Sequence, residues 1–108
     1  MTAKERKFDK LLLGAIDLAL ASLGESAKQS IYFHIDKKFA IPRNSIPTNL
    51  GEFQAGLEKI FGVGARFIEI LVMKNLYAKI GVPLDMDKGC QLEFVEYVAA
   101  AKRSYLKR

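Results

Sequence analysis

The strongest constraint on the fold is the stretch Ala65–Ile80, whose apolar residues reach almost all the way round a helical projection. An amphipathic surface helix would leave about half of its circumference polar, so a segment like this one has to be covered on several sides. Gly62 and Gly64 precede the stretch, Gly81 can cap a helix in the left-handed conformation, and Pro83 stops it. The pattern predicts a central buried helix over 65–80.

Four further segments repeat apolar residues at three- and four-residue steps. They predict helices over 8–23, 27–39, 50–61 and 89–106. The proline-containing residues 40–48 are predicted to form a loop, which Ile41 and Ile46 attach to the core. Two pairs have the spacing of capping boxes at helix starts, namely Ser26 with Gln29 and Asn49 with Glu52.

No segment alternates between apolar and polar residues for long enough to indicate a half-buried strand. Phe67–Met73 taken alone could be a buried strand, but its apolar pattern continues to Ile80, which is too long for one unpaired strand. A chain of 108 residues can bury one substantial core. We therefore predict a single all-α domain over 1–108, a compact bundle of about five helices around the helix at 65–80.

The formal charge of +5 is concentrated in the two ends of the chain. Between Leu11 and Ala101 there are nine basic and ten acidic residues, so this part of the chain is close to neutral. Chain ends of small domains often lie close together, so the basic ends, including Lys102 and Arg103, could form one patch. The alternative is that they only keep the protein soluble.

The sequence contains few residues of the types that carry out catalysis. His34 and Cys90 are the single histidine and the single cysteine, so no internal disulfide can form, and a reducing cytoplasm is the expected location. A nucleophilic pair of these two would need tertiary closeness; the simpler interpretation is a flanking histidine and a small apolar cysteine. Asp85 and Asp87 are better interpreted as caps than as calcium ligands, and Gly62–Gly64 lacks the phosphate-loop fingerprint. We predict no enzyme, cofactor, metal site or small-molecule substrate.

Glu69 is the one charged residue inside the apolar run FIEIL. Burial of a carboxylate costs free energy unless it is paired, and Arg66 on the same helix face is its expected partner. Glu69 then either lies at the margin of the core beside Arg66 or is a buried charge used at a subunit contact or a ligand site.

Nucleic-acid binding would use basic side chains against the phosphate backbone. The second predicted helix and the loop after it supply the better candidates, although such a charge run is also typical of a solvated helix face. Together with the residues above, the candidate interaction residues are Lys28, Tyr32, His34, Lys37, Lys38, Arg43, Arg66, Glu69, Lys102 and Arg103.

The segments 24–39 (GESAKQSIYFHIDKKF) and 53–81 (FQAGLEKIFGVGARFIEILVMKNLYAKIG) resemble a small archaeal helical domain. The motif-like parts are Gly24-Glu25-Ser26, Ile31-Tyr32-Phe33-His34, Ile60-Phe61-Gly62 and Gly64-Ala65. That family occurs alone and behind sensory modules, as an output domain. The resemblance covers about 8–81, and it implies an archaeal, cytosolic, regulatory context with no catalytic residues or ligand to transfer.

These observations favour a non-enzymatic helical interaction module with a regulatory role, as a homo-oligomer or with a protein partner. The alternative is a nucleic-acid-binding protein that uses its basic ends and its second helix. No uncharged stretch approaches the roughly 20 apolar residues of a membrane-spanning helix, so no membrane association is predicted.

Overall fold

The computed structural model describes residues 2–84 and 93–107, which form an all-α bundle. Within that part of the chain there are five α-helices and two short 3₁₀ segments. The helices are α1 (Ala3–Ala21), α2 (Glu25–Phe39), α3 (Leu50–Phe61), α4 (Ala65–Ile80) and α5 (Phe94–Leu106), and the 3₁₀ segments are Arg43–Thr48 and Gly62–Gly64. The predicted fold class is confirmed.

Helix α4 lies at the centre of the bundle and packs against α1, α3 and α5. Its bounds coincide with the predicted ones, and Gly81 caps it in the left-handed conformation with φ 72°. Ile68, Val72 and Leu76 are buried at successive turns. The predicted burial of the helix over 65–80 is wrong at its first turns, because Phe67 is 61 % exposed and no described helix covers that side.

Helix α1 begins five residues before the predicted start, at Ala3 rather than Phe8. Thr2 caps the helix: its side chain accepts a hydrogen bond from the Glu5 N–H at 3.1 Å, and the Thr2 N–H donates to the Glu5 carboxylate at 3.1 Å. Periodicity missed this polar turn because it detects only the buried part of a helix. At the other end the helix stops at Ala21, and Leu23, predicted to be buried, is exposed.

Helices α2 and α3 approach each other closely at Gly56. A Cβ atom built at Gly56 would lie 2.7 Å from Ile35 Cδ1 and 3.2 Å from Phe39 Cδ2, so the absence of a side chain lets the helices meet. Neither predicted capping box is formed, although Asn49 does occupy the N-cap position of α3. Gly24, with φ 113°, precedes α2 where Ser26 was expected, and the Asn49 amide donates backward to the Ser45 carbonyl at 2.9 Å.

The predicted loop at 40–48 contains the 3₁₀ segment Arg43–Thr48, which includes Pro47. A proline is compatible with so short a helical turn because few backbone N–H groups there need a helical acceptor. Ile41 and Ile46 are buried as predicted. The segment is therefore ordered against the core, and it places Arg43 beside α1.

Helix α5 begins at Phe94, later than the predicted start near 89. Glu93 is its N-terminal cap and donates its backbone N–H to the Glu96 carboxylate at 3.2 Å. The apolar residues that recur in this helix at three- and four-residue steps lie on one face, where Phe94, Tyr97, Val98 and Ala101 are buried and Tyr105 is half-buried. The proposed caps Asp85 and Asp87, and also Cys90, lie outside the described residues.

Across residues 2–84 and 93–107, none of the helices has both the length and the apolar character required to traverse a bilayer.

Candidate interaction surfaces

Asp17, Tyr32 and Arg43 form a hydrogen-bonded cluster that joins α1, α2 and the first 3₁₀ segment. The Tyr32 hydroxyl donates to Asp17 Oδ1 at 2.5 Å, and Arg43 donates from Nε to Oδ1 at 3.1 Å and from Nη2 to Oδ2 at 2.5 Å. A forked pair of this kind is among the stronger side-chain contacts in proteins. The cluster fixes the 3₁₀ segment to two helices.

The cluster changes the pKa values of its members. Burial tends to raise the pKa of Asp17, but the hydrogen bonds from Arg43 and Tyr32 outweigh it and hold that pKa below its ordinary value. Burial, and then the hydrogen bond to Asp17, raise the pKa of Tyr32 far above its ordinary value. At neutral pH the cluster therefore contains an ionised carboxylate, a guanidinium and a neutral phenol.

The cluster corrects one part of the nucleic-acid hypothesis. Arg43 was a candidate phosphate contact, yet its guanidinium is engaged by Asp17. Lys28 likewise lies 3.3 Å from the Glu25 carboxylate. The Tyr32 hydroxyl donates its hydrogen bond to Asp17, and it cannot donate to another acceptor without breaking that bond. All three side chains therefore already have partners within the chain.

We expect Asp17→Asn to lower the free energy of unfolding by about 1–2 kcal/mol at pH 7, because the charge-assisted hydrogen bonds from Arg43 and Tyr32 become weaker and the cluster is partly solvated. The pKa of Asp17 is lower in the folded state, so its contribution is present above the ordinary value of 3.8 and is lost as the pH falls through the folded-state pKa. Urea unfolding at pH 7 and near pH 2 measures the difference. Asp36→Asn, at an exposed carboxylate on α2, is the matched control, and an equal loss in both variants would contradict the prediction.

Of the remaining α2 candidates, His34 and Lys38 lie on the side that faces α3. His34 and Lys38 line a cleft of about 290 Å³ together with Lys59 and Ile60 of α3. Lys37 lies with Nζ 5.9 Å from the centre of the exposed Phe33 ring. The structure therefore divides the predicted basic face of α2 into two surfaces, and only His34, Lys37 and Lys38 remain as a solvent-facing basic group.

Glu69 is buried, with 4 % of its surface exposed, and lines an open cleft of about 260 Å³. Its hydrogen-bond donor is the Gln54 amide, with 3.4 Å between Nε2 and Oε1, and not Arg66 as predicted. Arg66 lines the same cleft and acts on Glu69 only as a nearby positive charge. Gln54 was missed because it lies on α3, and the predicted partner was chosen by spacing along one helix.

Burial raises the pKa of Glu69, and the neighbouring Glu58 carboxylate raises it further. The folded state thus favours the protonated form, so Glu69 contributes stability below its ordinary value of 4.5 that is lost as the pH rises through the folded-state pKa.

We expect Glu69→Gln to raise the free energy of unfolding by about 1 kcal/mol at pH 7, because the variant removes a buried charge and keeps a polar group beside Gln54. The gain should disappear below pH 4.5, where the wild-type side chain is protonated as well. Thermal unfolding as a function of pH measures both effects. Glu58→Gln, at an exposed position of the same cleft, is the control and should shift stability by a few tenths of a kcal/mol. A loss of stability in Glu69→Gln at pH 7 would contradict the prediction.

The start of α1 and the end of α5 lie together, as the basic ends were expected to do. Lys4 Nζ donates to the Leu106 carbonyl at 3.3 Å, and Lys102 Nζ lies 3.7 Å from Glu5 Oε2. Arg103 is exposed near the same end of α5. Their closeness brings together a patch of basic side chains, although Glu5 offsets part of the charge of Lys102. The terminal basic patch consists of Lys4, Arg6, Lys7, Lys10, Lys102, Arg103 and Lys107.

Sequence reasoning missed an exposed apolar surface where α3 passes into α4. Val63 is 98 % exposed, and Ile60 and Phe61 are each 36 % exposed. Ile60 and Phe61 line an open groove of about 420 Å³ whose other apolar walls are Leu23, Ala27 and Ile31. One signal was available in the sequence, since a valine between Gly62 and Gly64 has no adjoining side chain to cover it. Leu23, Ile60, Phe61, Val63 and Phe67 are called the apolar end below.

Metal binding has no support in the part of the chain that the structure describes, where no three His, Cys, Asp or Glu side chains are grouped closely enough to hold an ion. His34 lies among Lys38, Lys59 and apolar side chains. The cleft that Glu69 lines also contains the carboxylates of Glu58 and Glu93, but these three do not form such a group.

Comparisons with known protein families, with curated proteins and with solved structures find no match for this chain.

Proposed function

We propose that this chain is a non-enzymatic interaction module that self-associates and serves a regulatory role, in the archaeal cytoplasm that the resemblance of 24–39 and 53–81 implies. The observation that carries the proposal is the apolar end. Surface leucines and valines are ordinary when they are scattered, but adjoining apolar side chains around a groove are typical of contact surfaces. Because Val63 is 98 % exposed, almost all of its apolar surface is available for burial when a partner covers it.

The polar groups support a binding role more than a catalytic one. The polar groups of Asp17, Tyr32 and Arg43 hydrogen-bond to one another, and Glu69 accepts from an amide and not from a nucleophile or a base. General acid–base or nucleophilic chemistry needs at least two such groups within hydrogen-bond reach of a substrate.

The test is the solution mass of the full chain over a hundredfold range of concentration, by sedimentation or by light scattering. The proposal expects a mass that rises with concentration, and Phe67→Ser should shift the midpoint to higher concentration. Leu18→Ser is the matched control, because Leu18 is 50 % exposed but lies on α1 outside the apolar end. A monomer at every concentration would overturn the proposal.

A second candidate, nucleic-acid binding, is favoured by the closeness of the two basic ends. Seven basic side chains on adjoining helix ends could contact several phosphates of a duplex, and binding of that kind weakens steeply with salt. Retention of the protein on duplex DNA should then fall with increasing salt, with a smaller slope for Arg103→Gln and an unchanged slope for Lys74→Gln. No retention at low salt would remove this candidate.

A further inference from the structure

The charges on either side of the apolar end have opposite sign. We infer that two copies of this chain pair through the apolar end about a two-fold axis, so that the basic rim of each copy faces the acidic rim of the other. This inference rests on the proposed self-association and adds which surface is used and how the copies are oriented.

The centre of the proposed contact is formed by Ile60, Phe61 and Val63 at the junction of α3 and α4. Val63 projects from the 3₁₀ turn, and the groove lined by Leu23 and Phe61 lies on the other side of the helix end. A projecting side chain beside a groove is self-complementary, because a two-fold rotation brings the projection of each copy toward the groove of its partner.

The basic rim adjoins this centre on the side of α2. Lys38 and Lys59 line the cleft that Ile60 also lines, together with His34. Among the described residues, the ion pairs involve other lysines and arginines, namely Lys28, Arg43 and Lys102, so the two rim lysines are available to a partner.

The acidic rim adjoins the centre on the opposite side of α3. Glu58, Glu69 and Glu93 line the cleft to which Val63 also contributes. Arg66 lies in the same cleft and offsets part of this charge, but three carboxylates against one guanidinium leave the rim negative when Glu69 is ionised. Glu58 and Lys59 are adjacent residues on α3 yet line different clefts, so the helix itself separates the two rims.

Charge complementarity selects the orientation of the two copies. A two-fold axis that lies in the plane of the contact, perpendicular to the line joining the two rims, places the acidic rim of one copy opposite the basic rim of the other at two equivalent positions. Complementary rims of this kind mainly determine specificity and association rate, while the apolar centre supplies affinity. The same arrangement excludes a pairing in which like rims would meet.

The test is a charge exchange between Glu58 and Lys59, both exposed on α3. Lys59→Glu and Glu58→Lys should each weaken self-association roughly tenfold or more, because each substitution places like charges together at two equivalent positions. An equimolar mixture of the two variants should form a heterodimer of near wild-type affinity, and the double variant Glu58→Lys/Lys59→Glu should regain the homodimer. Lys74→Glu, on an exposed part of α4, controls for a general effect of charge, and circular dichroism confirms that each variant is folded.

The outcomes separate the inference from the function that underlies it. A wild-type chain that stays monomeric overturns the proposed self-association, and the inference with it. A wild-type dimer that neither single variant weakens overturns the inference and leaves self-association in place through another surface. Weakening by both single variants without restoration in the mixture overturns the two-fold orientation.

Discussion

Leu76→Ala should lower the free energy of unfolding by about 3–5 kcal/mol, the largest effect expected of a single substitution in this chain. Leu76 is fully buried in the middle of α4, the helix that packs against α1, α3 and α5. Truncation removes the transfer free energy of the leucine side chain. It also leaves a cavity, because the packed helices around it can relax only partially. Since small domains are stable by only about 5–15 kcal/mol, the variant should be near its unfolding transition at physiological temperature.

Unfolding in guanidinium chloride at low protein concentration measures this loss in the free energy of unfolding without a contribution from self-association. Phe67→Ala is the matched control on the same helix, because Phe67 is 61 % exposed and loses little burial on truncation. We expect the control to lose less than about 1 kcal/mol in the free energy of unfolding. Equal losses in the two variants would show that α4 is not the central helix of the bundle.

Gly56→Leu should lower the free energy of unfolding by about 3 kcal/mol, at the upper end of the range for overpacked cores. Even a Cβ atom at this position would lie 2.7 Å from Ile35 Cδ1 and 3.2 Å from Phe39 Cδ2, and because Ile35 is fully buried, moving its side chain displaces other core residues. A leucine would have to separate α2 from α3 and would expose the apolar face of α2. The loss should be visible as a lower midpoint of thermal unfolding.

Gly51→Leu is the matched control on the same helix. No atom lies within 4 Å of a Cβ built there, so the substitution adds only the helix propensity of leucine, a gain of up to about 1 kcal/mol. The two variants share the chemical change and differ only in surroundings. A stable Gly56→Leu protein with an unchanged midpoint would mean that α2 and α3 are not in close contact.

Burial inside the helices was largely predictable, because it follows from periodicity. The bounds of α4 and its left-handed cap at Gly81 were predicted correctly, as was the inward face of α5 at Phe94 and Val98. The helix starts at Ala3, Glu25 and Phe94 were not predicted correctly, because capping depends on local hydrogen bonds for which several residues compete.

The interaction surfaces were less predictable than the fold. The Arg43 guanidinium binds a carboxylate 26 positions earlier in the chain, and Gln54, not Arg66, donates to Glu69. Periodicity cannot reveal either contact, because it describes one helix at a time. The basic face predicted for α2 was for this reason only partly retained as a free surface.

The sequence by itself determined that this chain is helical, where its central helix begins and ends, and which side of each helix is buried. Those properties follow from the spacing of apolar side chains along single segments and from the glycines that interrupt them. Only the tertiary structure decided which charges are neutralised and which apolar side chains stay exposed. Both depend on distances between helices, as at Asp17 with Arg43 and at Val63 on the apolar end, and such distances exist only after the helices have packed.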